Sequence, residues 1–386
     1  MAAWLVVVLY VVSILTIVLI HEAGHFTFAK VFKIKVEEFF VGFGPRVWSF
    51  RRGETEYGLK ALPLGGYVRI AGMNPFQETP EEELPRTFGA KPAWQRATVI
   101  GAGPVTHFVM AILLFAVYFS VIGVTTYRPL IDDVCAVNPK SANLCPAKGT
   151  PSPAQLAGFR KGDVVVAVDG HRNVSESTLQ GYTKVRIGVP MTVVVRRHGE
   201  LVTLHATPRA AVQGGKRVGR LGVLIAPGPL LARDRANPVA AIGQGAVQTW
   251  EYAKAVVVEM GHVFGPSGLK RLGQLLVGSR TRSVNDPVSL VGAGRIAVQE
   301  AKVGAWEALL QLLVGFNVFI GILNLVPLPP LDGGHLAVIA YEKLRRRRPD
   351  VRKLVPLTTL VMGFMILFAV ALMYLDIVRP LPNPFR

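Results

Sequence analysis

Four long runs of apolar residues constrain this chain more than any other feature of its sequence. They cover residues 1–20, 97–124, 308–331 and 354–375, and the first two contain no Lys, Arg, Asp or Glu. Each run is long enough to cross the roughly 30 Å hydrocarbon core of a bilayer as a helix, which takes about 20 residues. A long polar region separates the second run from the third. The sequence therefore predicts a multi-pass α-helical membrane protein with four transmembrane helices and one sizeable water-facing domain.

The first run is also long enough to be a cleaved signal peptide. A signal peptide has a basic start and a small-x-small cleavage site, and neither precedes His21. Cleavage there would leave the histidines that follow at a free N-terminus. We therefore expect the first run to stay in the protein as a membrane span.

The positive charges, which give a net charge of +18, flank the predicted spans. Basic residues are frequent in segment 30–69 after the first run and in segment 345–353 between the third and the fourth. Basic loops mark the cytoplasmic side of a membrane. We therefore expect a multi-pass membrane protein with both termini and the central domain extracytoplasmic. The sequence has no nucleic-acid-binding motif, so we expect the lipid bilayer, and no nucleic acid, as the partner of these charges.

Cys135 and Cys145 are the only cysteines, and both fall in the predicted extracytoplasmic region. Extracytoplasmic compartments are often oxidising. The sequence allows either a disulfide that closes this small loop or two free thiols.

Turn and strand signals divide the polar regions. Residues 36–50 are predicted to form a strand with a turn at GFGP, and residues 55–72 carry the signals of a β-hairpin. Residues 152–170 predict a short helix, then a buried strand that ends in a turn at Asp169-Gly170. Residues 190–208 predict a two-stranded hairpin around the turn His198-Gly199-Glu200. A helix is predicted from about Asn237 to Met260, packed on either the membrane or the central domain.

The motif HEAGH, residues 21–25, follows directly on the first apolar run. His21 and His25 are four residues apart and share one helix face, so both can reach one metal ion, while Glu22 lies about 100° around the helix. This is the HExxH pattern of zinc peptidases, in which the glutamate takes a proton from water. The alternative to a metal site is that the two histidines only mark the end of the span at the membrane interface. Ionisable residues beside a span are costly and usually functional, which argues against this alternative.

A catalytic zinc takes three protein ligands and keeps one open position. Asp332, in NLVPLPPLDGGH, is the best candidate for the third ligand, because the first and third spans both end on the predicted cytoplasmic side. The alternative is that Asp332 caps a helix or turn before two glycines. His335 is a further candidate that we expect to act outside the ligand set. Asn324 is placed either to bind a substrate carbonyl or to form an interhelical hydrogen bond.

Several motifs occur in an order that resembles the site-2 proteases, which are zinc intramembrane metalloproteases. They are HEAGH, GFGP, PLGGYV, a GP pair in the second span, a PDZ-like segment and NLVPLPPLDGGH. The chain is most similar to the bacterial regulator-of-sigma-E protease type, which has an extracytoplasmic PDZ domain. The resemblance covers nearly the whole chain, and it implies a multi-pass protein of the bacterial cell (inner) membrane.

The resemblance implies four segments and a set of site residues. Residues 1–126 hold the first two spans and a cytoplasmic reentrant β-region, and 127–208 form an extracytoplasmic α+β PDZ-like domain. Residues 209–306 are a linker with amphipathic helices, and 307–386 hold the last two spans. The implied site residues are the metal ligands His21, His25 and Asp332 for Zn²⁺, the general base Glu22, and the substrate-binding Asn324, Gly65, Gly66 and Tyr67.

Residues 61–68 match the family's membrane-associated β-hairpin, which pairs with the substrate as an added strand. Two features depart from the family pattern: His107 replaces the asparagine that commonly follows the GP pair, and the chain has one recognisable PDZ-like segment, with an insertion that contains Cys145. The resemblance implies cleavage within single-span membrane proteins, such as an anti-sigma factor already trimmed by a site-1 protease. The alternatives are a membrane scaffold without activity and a membrane-anchored peptidase for soluble peptides.

Overall fold

A computed structural model describes residues 3–73, 80–136, 150–213, 216–283, 286–302, 306–347 and 350–381. The helices are α1 (Ala3–Val31), α2 (Ala93–Val117), α3 (Pro153–Ala157), α4 (Glu176–Val185), α5 (Pro238–Phe264), α6 (Pro266–Val277), α7 (Leu290–Lys302), α8 (Trp306–Leu325), α9 (Asp332–Arg345) and α10 (Val355–Val378). The strands are β1 (Val36–Arg52), β2 (Thr55–Ile70), β3 (Val124–Val134), β4 (Val164–Val168), β5 (His171–Arg172), β6 (Met191–Arg197), β7 (Glu200–Ala206), β8 (Arg209–Gln213), β9 (Lys216–Arg220) and β10 (Val223–Asp234). The chain divides into one unit of residues 1–120 and 237–386 and a second of residues 121–236.

Three helices of the first unit are long and apolar enough to span a membrane. They cover Trp4–Val31, Ala93–Ile122 and Arg352–Val378, and their apolar windows are mostly exposed rather than buried inside the protein. The described apolar part of α8, Leu309–Leu325, is shorter. Three of the four predicted spans therefore satisfy the length criterion, and α8 as a fourth span remains a prediction.

One face of α1 packs inside the protein while the rest is exposed. Its buried positions follow one another three, four or seven residues apart, except that Gly24 and His25 are adjacent, and all of them lie on one side of the helix. They are Val6, Tyr10, Ile17, His21, Gly24, His25 and Ala29. Apolar residues elsewhere on the helix, such as Val8 and Val12, are exposed. A helix that is apolar all round and buried on one side is suited to face lipid with the other.

The helices between the second unit and α8 pack on the membrane-length helices. On α5, Tyr252 packs against Phe115 of α2, in a cluster that includes Val318 of α8. Gly245 of α5 lies so close to α2 that a Cβ there would be 2.7 Å from the Ile112 carbonyl oxygen. The predicted helix at Asn237 is confirmed, and its side chain caps it by accepting from the Ala240 N–H.

A buried ion pair joins the segment before α7 to the end of α10. Arg282 contacts Asp376 at 2.6 Å, and both side chains are almost fully buried. Asp376 also accepts a hydrogen bond from the Ser289 N–H at 2.6 Å. Because an unpaired charge is costly in such surroundings, these contacts hold Arg282 and Ser289 against the last helix.

The long strands β1 and β2 form a two-stranded antiparallel sheet that folds back on itself. Residues 39–41 of β1 are opposite residues 57–59 of β2 and also opposite residues 66–68. The hairpin predicted within residues 55–72 is therefore wrong, because the two halves of β2 pair with β1 and not with each other among the described residues. Each half of β2 lies along a different edge of this part of β1. The backbone N–H and C=O groups of both halves can therefore form hydrogen bonds with β1.

The second unit is built on a sheet with the strand order β10-β3-β4-β6-β7, and β5 pairs with β4. Its core contains Ile131, Val165, Leu179, Val193 and Leu204. Two predicted turns are confirmed, each with a positive φ at both positions: Asp169-Gly170 and His198-Gly199. Two residues with positive φ form the type I′ turn that suits a tight hairpin.

A further ion pair and a disulfide stabilise the second unit. Arg197 binds the fully buried Asp163 through two nitrogens, at 2.7 Å each. Cys135 is disulfide-bonded, and Cys145 is its only possible partner in the chain, although Cys145 lies outside the described residues. Of the two states that the sequence allowed for the cysteines, the structure has the disulfide.

Candidate metal centre

Helix α1 brings His21 and His25 together on its buried face. Their Nε2 atoms are 3.1 Å apart, and both rings are more than nine-tenths buried. The Nδ1 atom of His25 lies 2.8 Å from the Val99 carbonyl oxygen of α2. A carbonyl oxygen only accepts, so His25 carries its proton on Nδ1 and presents a bare lone pair at Nε2.

Asp332 reaches the same point from the start of α9. Its Oδ2 atom lies 3.3 Å from His21 Nε2 and 3.4 Å from His25 Nε2. The capping position of α9 is occupied by Leu331, and Asp332 is the first helical residue, so the capping alternative does not describe this side chain. The prolines between α8 and α9 end the helix as expected, since proline cannot continue a hydrogen-bonded turn.

The two glycines after Asp332 allow α9 to start against the end of α8. A Cβ at Gly333 would lie 2.3 Å from the Val326 carbonyl oxygen, and one at Gly334 would lie 2.5 Å from the Pro329 nitrogen. Side chains at these positions would push the start of α9 away. The LDGG sequence therefore sets the position of Asp332 by close backbone packing.

The three side chains fit a zinc ion. Their ligand atoms all lie within 4.8 Å of one another, and the Asp332 Oδ2 atom is buried without a hydrogen-bond partner. Acceptor atoms that converge in this way repel one another unless a cation lies between them. Two histidines and a carboxylate are a common zinc donor set that leaves a fourth position open.

Glycine is required where α2 crosses the two histidines. A Cβ at Gly103 would lie 2.2 Å from His25 Nε2 and 2.7 Å from His21 Cε1. On the α1 side, a Cβ at Gly24 would lie 2.9 Å from the Ala102 carbonyl oxygen. In the sequence, Gly103 stands out only as part of a GP pair. Its place beside the histidines could not be predicted, because closeness between two helices leaves no local pattern.

Glu22 lies beside this cluster, next to the second half of β2. It takes part in a hydrogen bond with the Val68 backbone. A Cβ at Gly66 would lie 3.4 Å from the Glu22 Cγ and 3.2 Å from the Phe40 carbonyl oxygen. The structure thus brings Gly66 and Glu22 together, and their roles in substrate binding and proton transfer remain predictions.

Tyr67 is held in place by contacts with β1. Its ring stacks on Phe40 and on Phe43, and its hydroxyl donates a hydrogen bond to Glu38. Burial and this hydrogen bond raise the pKa of Tyr67 above its usual value. Gly65 lies against the Phe43 ring, where a Cβ would be 2.9 Å from a ring carbon.

The remaining candidates lie outside the three-residue cluster. Asn324 is half-buried in the last turn of α8 and has no hydrogen bond to another described side chain, so the interhelical hydrogen bond weighed for it is not found in the described part of the chain. His335 is one turn beyond Asp332 on α9 and is not among the converging ligand atoms. The sequence analysis missed Asn317, a fully buried amide in α8 that pairs with His107.

The helix that supplies Asp332 is tied to α2 by a second buried contact. Arg96 binds Glu342 through both guanidinium nitrogens, at 2.8 and 2.9 Å. The Arg96 side chain is 9% exposed and the Glu342 side chain 18%. This bidentate ion pair fixes both the distance and the orientation between α2 and α9. It therefore holds α9 in place relative to the two histidines.

Comparison with known proteins places this site in a family. The model of peptidase family M50 matches residues 9–370, which include all three converging side chains. The chain belongs to peptidase family M50. Within it, the chain is 33% identical over 410 residues to the zinc metalloprotease Rip1 of Mycobacterium tuberculosis (strain ATCC 25618 / H37Rv), covering 97% of this chain and 98% of that protein.

Two further M50 proteins show similar extents of similarity. The zinc metalloprotease Rip1 of Mycolicibacterium smegmatis is 32% identical over 408 residues, which is 97% of this chain and 98% of that protein. The metalloprotease MmpA of Caulobacter vibrioides is 32% identical over 381 residues, covering 89% and 87% of the two chains. The resemblance to the site-2 proteases is confirmed, and the M50 chain described here is a membrane zinc metalloprotease of a family that carries out intramembrane proteolysis.

Proposed function

We propose that this M50 protease cuts within the transmembrane segments of single-span membrane proteins, with zinc held by His21, His25 and Asp332. The observation that carries this proposal is the convergence of the three ligand atoms within 4.8 Å on the buried face of a membrane-length helix. Ionisable groups placed in such a helix are costly and are usually functional. A peptidase for soluble peptides has no need of a site at this depth.

The chemistry follows from the residues around the ligands. A zinc ion at this position supplies Lewis-acid polarisation of the scissile carbonyl and lowers the pKa of a water to about 7 in comparable sites. Glu22 takes the proton of the attacking water and delivers it to the leaving amine nitrogen. Asn324 supplies an amide that binds the substrate carbonyl next to the bond that is cut.

The second half of β2 offers the substrate a strand edge. Residues 66–70 pair with β1 on one side, and within the described residues no strand pairs with them on the other. Gly66 on this edge lies against Glu22. We infer that an unwound substrate segment adds as a strand along Gly65, Gly66 and Tyr67, which places its peptide bonds near the base.

The second unit gives the protease a place for substrate selection. It combines a sheet with two helices, as a PDZ-like domain does, and pairing of β10 with β3 adds Val223–Asp234 to the segment 127–208. Within the described residues, β10 is an edge strand of this sheet. We propose that the domain is extracytoplasmic and filters or docks substrates, such as an anti-sigma factor already trimmed by a site-1 protease.

The proposed orientation in the cell membrane is tested by labelling introduced cysteines. The basic segments 30–69 and 345–353 support a cytoplasmic side for the ends of α1 and α9. In intact spheroplasts, a membrane-impermeant maleimide should label Lys161→Cys in the second unit. Arg346→Cys should react only after the membrane is permeabilised, and the reverse result would show that the orientation is wrong.

The proposed cleavage is tested with the purified full chain in liposomes together with a model single-span substrate. We expect the wild type to cut within the span, and Glu22→Gln to bind as much zinc as the wild type while cutting at least about 100-fold more slowly, since general base catalysis contributes about 10²–10⁴-fold. The exposed Glu82→Gln is the matched control and should cut normally.

Three other results would contradict parts of the proposal. Normal cleavage by Glu22→Gln would remove Glu22 as the base. Cleavage of unstructured soluble peptides but of no membrane span would favour the membrane-anchored peptidase. Full zinc occupancy with no cleavage of several different spans would favour the scaffold.

A further inference from the structure

His107 lies at the crossing of three helices beside the metal centre. It is on α2 and has no exposed surface. Its ring centre is 4.9 Å from that of His21 on α1, with the two planes tilted by 35°. On the α8 side, a Cβ at Gly321 would lie 2.8 Å from the His107 Cβ, so the backbone of α8 passes directly over it.

Asn317 of α8 determines which ring nitrogen of His107 carries the proton. The Asn317 Nδ2 group donates to the His107 carbonyl oxygen at 2.6 Å. This hydrogen bond directs the amide oxygen of Asn317 to the His107 ring, where it lies 2.7 Å from Nδ1. An amide oxygen only accepts, so Nδ1 donates, and Nε2 of His107 is left with a lone pair.

The neighbouring rings of His107 and His21 therefore each carry a buried nitrogen without a partner, and the two nitrogens are of complementary character. The Nε2 atom of His107 is buried and has no hydrogen-bond partner, and neither has Nδ1 of His21. If His21 binds zinc through Nε2, its Nδ1 carries a proton. Histidines that bind a metal almost always donate this second N–H to an acceptor, which fixes the ring and increases its basicity.

The other histidine of the site already has such an acceptor. His25 Nδ1 donates to the Val99 carbonyl oxygen. No equivalent backbone carbonyl serves His21 among the described residues, whereas the His107 ring lies next to it. The His107 ring, with its unpartnered acceptor nitrogen, thus lies beside the His21 ring, with its unpartnered donor nitrogen.

We propose that His107 is the hydrogen-bond acceptor of the zinc ligand His21, directly or through one water, and that Asn317 positions it by fixing the proton on Nδ1. His107 is then a positioning residue and not a fourth ligand, because the converging ligand atoms comprise only His21, His25 and Asp332. A fourth protein ligand would also close the position that water needs. This inference rests on the proposed role of His21 as a ligand.

The test measures zinc affinity of the full-length protein in detergent by competition with a chromophoric chelator. His107→Leu removes the acceptor and should weaken zinc binding by about 10–100-fold, the usual effect of losing such a partner. His107→Gln and His107→Asn retain an amide oxygen that accepts, and should bind zinc within a few-fold of the wild type. Asn317→Leu leaves the ring in place without its fixed tautomer and should weaken binding to a smaller extent than His107→Leu.

Two controls separate this inference from the proposed site and from a folding defect. His21→Ala must lose zinc, and if it binds zinc as tightly as the wild type, the site assignment itself fails. The melting temperatures of the metal-free variants are compared, because a purely structural role of His107 would lower them without any difference between the Leu and the amide variants in zinc affinity. That result, or wild-type zinc affinity in His107→Leu, would overturn the inference.

Discussion

At the scale of single residues, the site depends on glycines, which have no side chain, as much as on the side chains that converge there. Gly103 and Gly24 let α2 and α1 approach until backbone atoms touch the rings of the histidines. Gly66 allows β2 to lie against Glu22. At each of these glycines, a Cβ would lie in close contact with a specific neighbouring atom, and glycine avoids that contact.

Gly103→Ala is expected to disrupt the metal centre without unfolding the protein. The new Cβ would lie 2.2 Å from His25 Nε2, so the ring has to move away from the other ligands. We expect zinc affinity to fall at least about 10-fold, as it does when the orientation of a ligand is lost. Chelator competition on the purified variant measures this effect.

Gly101→Ala is the matched control on the same helix. No atom lies within 4 Å of a Cβ at Gly101. Replacing a glycine by alanine inside a helix otherwise stabilises by about 0.5–1 kcal/mol, so this variant should bind zinc normally and melt slightly higher. Equal zinc affinities in the two variants would show that the close approach at Gly103 does not matter.

At the scale of secondary-structure elements, two junctions bring together the groups that are proposed to bind zinc and to act in catalysis. The turn between α8 and α9 positions Asp332, and the Arg96–Glu342 pair holds α9 against α2. The folded-back pairing of β1 with β2 presents residues 66–70 beside Glu22. The proposed ligands and the proposed base therefore come from elements that are fixed to one another by backbone contact and by a buried ion pair.

Gly66→Val is expected to impair cleavage while the metal stays bound. A branched side chain at this position enters the space between the Phe40 carbonyl oxygen and Glu22. We expect the rate of substrate cleavage to fall about 100-fold, the effect that a displacement of about 1 Å has on catalysis. Gly66→Ala should show a smaller decrease, because its Cβ contacts are tight but tolerable.

The measurements are cleavage of the single-span substrate and bound zinc in the same preparations. Gly89→Val serves as the control, since nothing lies within 4 Å of a Cβ at that residue. Wild-type cleavage by Gly66→Val would remove this strand edge from the proposed substrate path.

At the scale of the whole molecule, everything proposed to bind zinc lies in one of the two units. His21, His25 and Asp332 belong to the unit of residues 1–120 and 237–386. The second unit has its own core, its own buried ion pair and its own disulfide. Metal binding is therefore expected to stabilise one unit and leave the other unchanged.

Removing zinc with a chelator tests this independence. A ligand that binds only the folded state stabilises it by about 4 kcal/mol at a thousand times its dissociation constant. Without zinc, peptides from α1 and α9 should exchange backbone hydrogen faster, whereas β4, β6 and β7 should keep their protection. Hydrogen–deuterium exchange with mass spectrometry resolves these segments, and faster exchange in the second unit would contradict the prediction.

Several features of this protease could be predicted from the sequence because they depend on a few neighbouring residues. The period of a helix places His21 and His25 on one face, and the dihedral requirements of tight turns mark Asp169-Gly170 and His198-Gly199. The Asn237 cap and the proline break before Asp332 are local in the same way. The family resemblance rests on such short motifs.

The tertiary structure alone decided which distant segments meet. The pairing of β2 with β1 instead of with itself, the packing of α5 on α2 and α8, and the contact between His107 and Asn317, 210 residues apart, have no local signature. The physical reason is that a backbone conformation is chosen by its own few residues, whereas close packing depends on the shapes of two surfaces at once. The sequence therefore determined the elements and the chemistry of the site, and packing determined which side chains support it.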